Sequence, residues 1–270
     1  MTTEPRPRFG DLIAAEWTGL RSPRSTWISY GAAALTVIAL NAGTAYDTYA
    51  HWEERTPADR TAFVEAGIPL QEAYTVNAAV VTMVALCVLG ALPILAEFAT
   101  GAVRTTFTAV PARGEVTAAK AVVVAATAAV WGALVTAVSF ALTQAILDGR
   151  GVGVPWGHPG AAGVLAASAL LAPVCALTGL ALATVLRRTA ATVLASVTVV
   201  LVLPLLLTED RHGTAVVRHA LPFPAWLRLT ASDAPPTPFP WTEAGAWTVL
   251  AVWAVAAAVV TVLAVRRRDV

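Results

Sequence analysis

The sequence predicts an all-α, polytopic membrane protein with six transmembrane helices, and three observations carry that expectation. Of its 270 residues, 57% are hydrophobic and only 13% charged, where charged residues make up about a quarter of an ordinary soluble domain. Mean hydropathy is +0.68. Six runs, at residues 25–46, 73–96, 121–147, 151–186, 189–208 and 244–265, contain no Asp, Glu, Lys or Arg. A helix rises about 1.5 Å per residue, so roughly 20 residues cross a hydrocarbon core of about 30 Å. Each run reaches that length. Ala, Leu and Val dominate without sustained alternation, which argues against a transmembrane barrel.

The expected organisation is one transmembrane domain over residues 1–270, with an N-terminal segment at 1–24 and spans at about 25–46, 73–96, 119–147, 161–186, 189–207 and 243–265. In the N-terminal segment Phe9, Leu12, Ile13, Trp17 and Leu20 fall on one face at helical spacing, and Pro23 ends the run. Such an amphipathic helix suits the membrane interface, with Trp17 at headgroup depth, either as a simple anchor for the first span or as a contact for a partner. A signal-peptide reading of residues 31–45 is set aside. The preceding segment is long, carries Asp11 and Glu16, and has its own helical pattern.

Span one opens on Trp27, an interfacial anchor. The connector to Glu72 is polar, with His51, Trp52 and Pro57. Span two carries Asn77, and Pro93 near its far end predicts a bend there. Span three holds Trp131 at mid-depth and Gln144 near its end. Span four includes Pro173 and places Cys175, Gly179 and Ala183 four apart, the spacing of a close-packing face. Arg187 and Arg188 form a tight turn before span five, which carries Pro204. Residues 208–241 read as a long, stiff, amphipathic loop with prolines at 222, 224, 235, 236, 238 and 240. Span six carries Trp247 and Trp253, and Arg266, Arg267, Arg268 and Asp269 follow it. Trp131 and Trp253 either line a substrate path or pack.

Basic residues set the orientation. With both termini inside, twelve of the eighteen fall on that side: Arg6, Arg8, Arg21, Arg24, Arg104, Arg113, Lys120, Arg187, Arg188, Arg266, Arg267 and Arg268. The positive-inside rule therefore favours cytoplasmic N- and C-termini. The segment 97–120 is the basic connector between two uncharged runs. Its first part, residues 97–107, has no breaker beyond Gly101, so a short helix near the inner face is expected, stopped by Pro111.

Reactive chemistry is sparse. No G-x-x-x-x-G-K-[ST] phosphate loop exists, and the sole lysine, Lys120, follows Ala118 and Ala119. His51, His158, His212 and His219 read as solvated loop residues without ligand spacing. Cys87 and Cys175 lie inside apolar runs, where packing as free thiols is expected. No G-x-S-x-G occurs, and the polar residues inside spans are mostly Thr and Ser, which bond back to their own helix. Neither a catalytic, a metal nor a nucleic-acid site is expected. The lack of an acid or base deep in a span lowers proton-driven transport.

Four ordered motifs give a resemblance. They are Glu16-Trp17 with Leu20-Arg21-Ser22 and Arg24-Ser25-Thr26-Trp27; Glu97, Gly101, Arg104-Thr105-Thr106 and Ala109-Val110-Pro111-x-Arg113; Arg187-Arg188-Thr189; and Arg267-Arg268-Asp269. Together they touch nearly the whole chain, which resembles actinobacterial ABC-2-type ABC transporter permeases. That resemblance implies an ABC-2 (type V exporter-like) transmembrane domain in the bacterial plasma membrane, with a cytoplasmic coupling loop between helices 2 and 3 and short re-entrant helices before the last span. It implies a partner ABC ATPase subunit carrying the ATP and Mg, a second permease copy as homo- or heterodimer, and efflux of a hydrophobic or amphiphilic substrate. The implied ATPase contacts are Trp17, Glu97, Gly101, Arg104, Arg113 and Glu115. Glu97 would cap the following helix or pair with a basic residue of the ATPase. Gly101 would admit a close backbone. Arg104 and Arg113 would bridge to carboxylates, bind lipid phosphates, or act only as topology signals. The alternative function is a non-transporting structural or assembly membrane protein, with an intramembrane enzyme a distant third.

Overall fold

A computed structural model describes residues 8–101, 113–231 and 239–267, and among these every regular element is helical. Helix α1 (Phe9–Arg21) starts where the Asp11 carboxylate accepts the Arg8 N–H at 3.0 Å, and it buries Leu12 and Leu20. After Pro23 comes α2 (Arg24–Ala50), which outruns the expected span by one turn. Two short helices follow, α3 (Pro57–Glu65), capped by Thr56, and α4 (Ile68–Gln71). Helix α5 (Val76–Thr100) is capped by Thr75 and runs unbroken through Pro93. Helix α6 (Arg113–Asp148) and helix α7 (Ala161–Leu186) complete the first four crossings.

The fifth crossing is composite. Helix α8 (Thr189–Val197) widens into a π-helical turn at Thr198–Val202 before α9 (Leu203–Leu206). Pro204 supplies the reason: it has no N–H for the Val200 carbonyl, and its ring crowds that turn, so the ladder re-registers just upstream. Then come α10 (His212–His219), α11 (Pro222–Thr230) and the last crossing, α12 (Glu243–Arg267). Six helical stretches are long and apolar enough to span a bilayer, which makes this a multi-pass membrane protein.

Helix α7 is the hub. It packs on α5, α6 and α12, and 67% of its most apolar stretch is buried against 22% for the first, fifth and sixth crossings. The expected small-residue face is the α5 contact: Cys175, Gly179 and Ala183 are all buried, and a Cβ on Gly179 would overlap the Cys87 carbonyl. Both cysteines are free and buried. Span hydroxyls bond back as anticipated, for example Thr127 Oγ1 to the Val123 carbonyl at 2.8 Å. Asn41, wholly buried, is different: its Nδ2 donates to Ser139 Oγ at 3.1 Å, and its Oδ1 accepts the Thr75 N–H at 2.9 Å, tying α2 to α6 and to the cap of α5.

Three local expectations are corrected. Residues 97–100 do not begin a separate short helix; they are the last turn of α5, which Gly101 ends in the left-handed region at φ 73°. The remainder of that expected helix lies outside the described residues. The segment 208–231 is not the stiff loop that composition suggests; it forms two short helices, as the resemblance implies, and α11 inserts beside α7 and α12. Its Trp226 is 1% exposed, meets Tyr74 edge-on at 6.2 Å and donates to Ser168 Oγ at 3.1 Å. Prolines 235, 236 and 238 lie outside the described residues. Finally, His219 is not solvated: its side chain is 14% exposed, stacks on Trp241 at 4.5 Å and faces Glu209 at 3.4 Å.

Candidate functional site

One end of the bundle gathers α1, the close of α5, the start of α6 and the α7–α8 turn. The junction is held by charge. Lys120, on the second turn of α6, is 3% exposed, and its Nζ donates to Glu16 Oε2 of α1 at 2.5 Å and to Glu97 Oε1 of α5 at 2.6 Å. Helix geometry puts them there. Leu12 packs on Val116 and Ala119, which brings Glu16, one turn along from Leu12, opposite Lys120, one residue beyond Ala119. With all three groups ionised, one positive and two negative charges leave the cluster at −1.

The cluster lines a cleft of about 550 Å³ that also meets Gly19, Pro23, Pro93 and Thr189. Nearby, Arg187 holds φ 56°, the sole non-glycine residue with positive φ among those described, and its guanidinium lies over the Phe98 ring at 5.2 Å.

Burial raises the Glu16 carboxyl above its ordinary 4.5; the Lys120 ammonium pulls it back and the Glu97 carboxylate adds to the rise. A raised acid pKa means that the folded chain keeps this proton to higher pH than the unfolded one does. The Glu16 contribution to stability is therefore largest below about pH 4.5 and falls as pH rises through the folded value. Glu16→Gln is expected to cancel that fall. Thermal unfolding of the two proteins between pH 4 and 8 would show the variant gaining stability relative to the unaltered chain as pH rises, and parallel curves would refute the assignment.

On the other side of α1 lies an apolar groove of about 410 Å³, between α1, α2 and α6, lined by Ile13, Trp17, Trp27, Tyr30, Trp131 and Leu134 among others. Trp17 and Trp27 meet edge-on at 6.3 Å and 76° at its rim. Trp131 forms its floor and donates its indole N–H to the Tyr30 carbonyl at 3.0 Å.

The residues singled out from sequence are thus distributed unevenly. Glu97 sits in the charged cluster, in the last turn of α5, where its Oε1 meets Lys120 Nζ at 2.6 Å. Gly101 terminates α5. Arg113 opens α6, half-buried, and Glu115 is exposed one turn before Ala119. Arg104 lies outside the described residues. Trp17 and Trp131 share the groove. Trp253 is elsewhere, its indole N–H on the Ala220 carbonyl at 2.7 Å, close to the far-end helices. The sequence reading missed the pairing of Glu16 with Lys120. The available signal was the chain's sole lysine, flanked by Ala118, Ala119, Ala121 and Val122 on a helix that buries it.

Among the described residues no three His, Cys, Asp or Glu side chains converge as metal ligands do. The arrangement binds α1, α5 and α6 together through charge. No protein-family model matches the chain, and no curated protein matches it in sequence.

Proposed function

We propose that the chain is the membrane-embedded permease subunit of an ATP-driven exporter of the ABC-2 type, driven by a separate ATPase and moving a hydrophobic or amphiphilic cargo. Two copies would form the pathway in a bacterial plasma membrane, with both termini in the cytoplasm. One observation carries the reading: the Lys120 ammonium joins α1 to the two helices that flank residues 102–112. A push delivered to that connector or to α1 would reach α5 and α6 together, and through α5 the central α7. The work asked of this chain is then mechanical and needs no reactive group in it. The alternative, a structural or assembly membrane protein, draws on the close apposition of α5 and α7.

Glu97 is engaged within the chain, so Glu115, exposed on α6, is the better probe of a docking surface. The test is co-purification with an ATPase encoded beside this gene and export in cells. Glu115→Arg should cut both at least tenfold while leaving thermal stability unchanged. If no ATPase associates and deleting the gene leaves efflux untouched, the transport reading falls and the structural one gains.

A further inference from the structure

The groove between α1, α2 and α6 has an unusual setting. Its walls include Val122, Val130 and Leu134, which are 47%, 60% and 61% exposed and belong to a bilayer-length helix. Such side chains look onto hydrocarbon, so whatever fills the groove is apolar over most of its length. Residues 122–134 advance about 18 Å along the helix axis at 1.5 Å per residue, a length that suits an acyl chain. The volume of about 410 Å³ lies within the range of small-ligand sites, roughly 300–1,000 Å³.

The groove's own lining is almost wholly apolar, and charged residues lie only beyond its aromatic rim. The Trp27 indole N–H donates to the Arg21 carbonyl at 3.3 Å, which brings the close of α1 against the aromatic rim. Arg24 stands on the first turn of α2, three residues before Trp27. Both arginines are exposed, and neither pairs with a carboxylate among the described residues. Glu16, the acid nearest along the chain, points away into the charged cluster with Lys120. Arg21 follows Trp17 by one helical turn and Arg24 precedes Trp27 by about one, so both arginines stand just beyond the aromatic rim of an acyl-sized slot, where they match an anionic headgroup, since arginine binds phosphate oxygens bidentately.

We propose that this groove is a binding site for an anionic phospholipid of the surrounding bilayer, with one acyl chain along residues 122–134 and the phosphate held by Arg21 and Arg24. The Trp17–Trp27 pair closes over the chain near the headgroup, and Trp131 forms the floor. The bound lipid completes the seam between α1 and the first and third crossings. It stands apart from the transport reading and applies equally to a structural membrane protein.

The test uses the full chain in nanodiscs of phosphatidylglycerol and phosphatidylcholine, with a trace of either lipid carrying a diazirine on its acyl chain. After irradiation, labelled peptides are mapped by mass spectrometry. Label from the phosphatidylglycerol probe should concentrate on α1, α2 and residues 122–134 and exceed that from phosphatidylcholine severalfold. Ala126→Trp, which fills the groove, should reduce this labelling at least tenfold. Val130→Trp, at an outward-facing position, provides the same block if the first variant folds poorly. Replacing both arginines, Arg21→Gln with Arg24→Gln, should erase the preference between the two lipids while chain labelling persists. Label spread evenly over the exposed faces of α2, α6, α8 and α12, or unchanged by both tryptophan variants, would overturn the site. Equal labelling by both lipids in the unaltered protein would overturn its anionic specificity.

Discussion

Lys120→Met is expected to unfold the protein at a markedly lower temperature than the unaltered chain. The Lys120 side chain is only 4% exposed and touches both carboxylates, themselves 15% and 26% exposed. Removing the ammonium leaves Glu16 and Glu97 facing one another with no cation between them. Breaking a buried ion pair from one side costs about 3–5 kcal/mol, because an uncompensated charge stays behind. The combination Lys120→Met, Glu16→Gln and Glu97→Gln removes every charge together and should recover most of the loss, since neutral replacements of buried ion clusters are often nearly neutral in stability. Reaction of buried Cys87 and Cys175 with a thiol-reactive dye on heating reads the transition directly. An unchanged transition in the single variant would show that the cluster bears no weight.

The contrast between cluster and bundle explains what a linear reading reveals. Spans are local: a run such as 121–147 without charge announces itself, and the face of α1 follows from Phe9, Leu12, Ile13, Trp17 and Leu20 alone. The Glu16–Lys120 contact joins residues 104 apart. Composition places Lys120 at the edge of a basic connector, and only the register of α6, set by Val116 and Ala119 against Leu12, turns it inward. Proline misleads in a similar way at α11. Pro222 and Pro224 suggest a loop, yet they occupy the first turn, where backbone N–H groups have no helical partner to lose. Burial of Trp226 between α7 and its neighbours then decides the outcome, and nothing within nine residues of sequence foretells Ser168 or Tyr74 as its partners.

Gly179→Leu should be the most damaging single change within the spans. Helices α5 and α7 approach so closely that a side chain at 179 would overlap the Cys87 carbonyl, and one at Gly90 would overlap the Ala176 carbonyl. The obstacle is backbone in both places, so no rotamer change relieves it and the helices must separate. Overpacking a well-fitted interior costs about 1–3 kcal/mol, occasionally more, and a clash with backbone at the hub falls at or beyond the top of that range. Even Gly179→Ala is expected to destabilise, since the overlap begins at the Cβ. Gly31→Ala makes the same chemical change in α2, where nothing lies within 4 Å of the added atom. There the better helix propensity of alanine, about 1 kcal/mol at most, should hold or raise stability. Opposite signs for these two alanine variants in thermal unfolding would attribute the loss to helix contact. Equal behaviour at both positions would mean that α5 and α7 are not held at this distance in the folded protein.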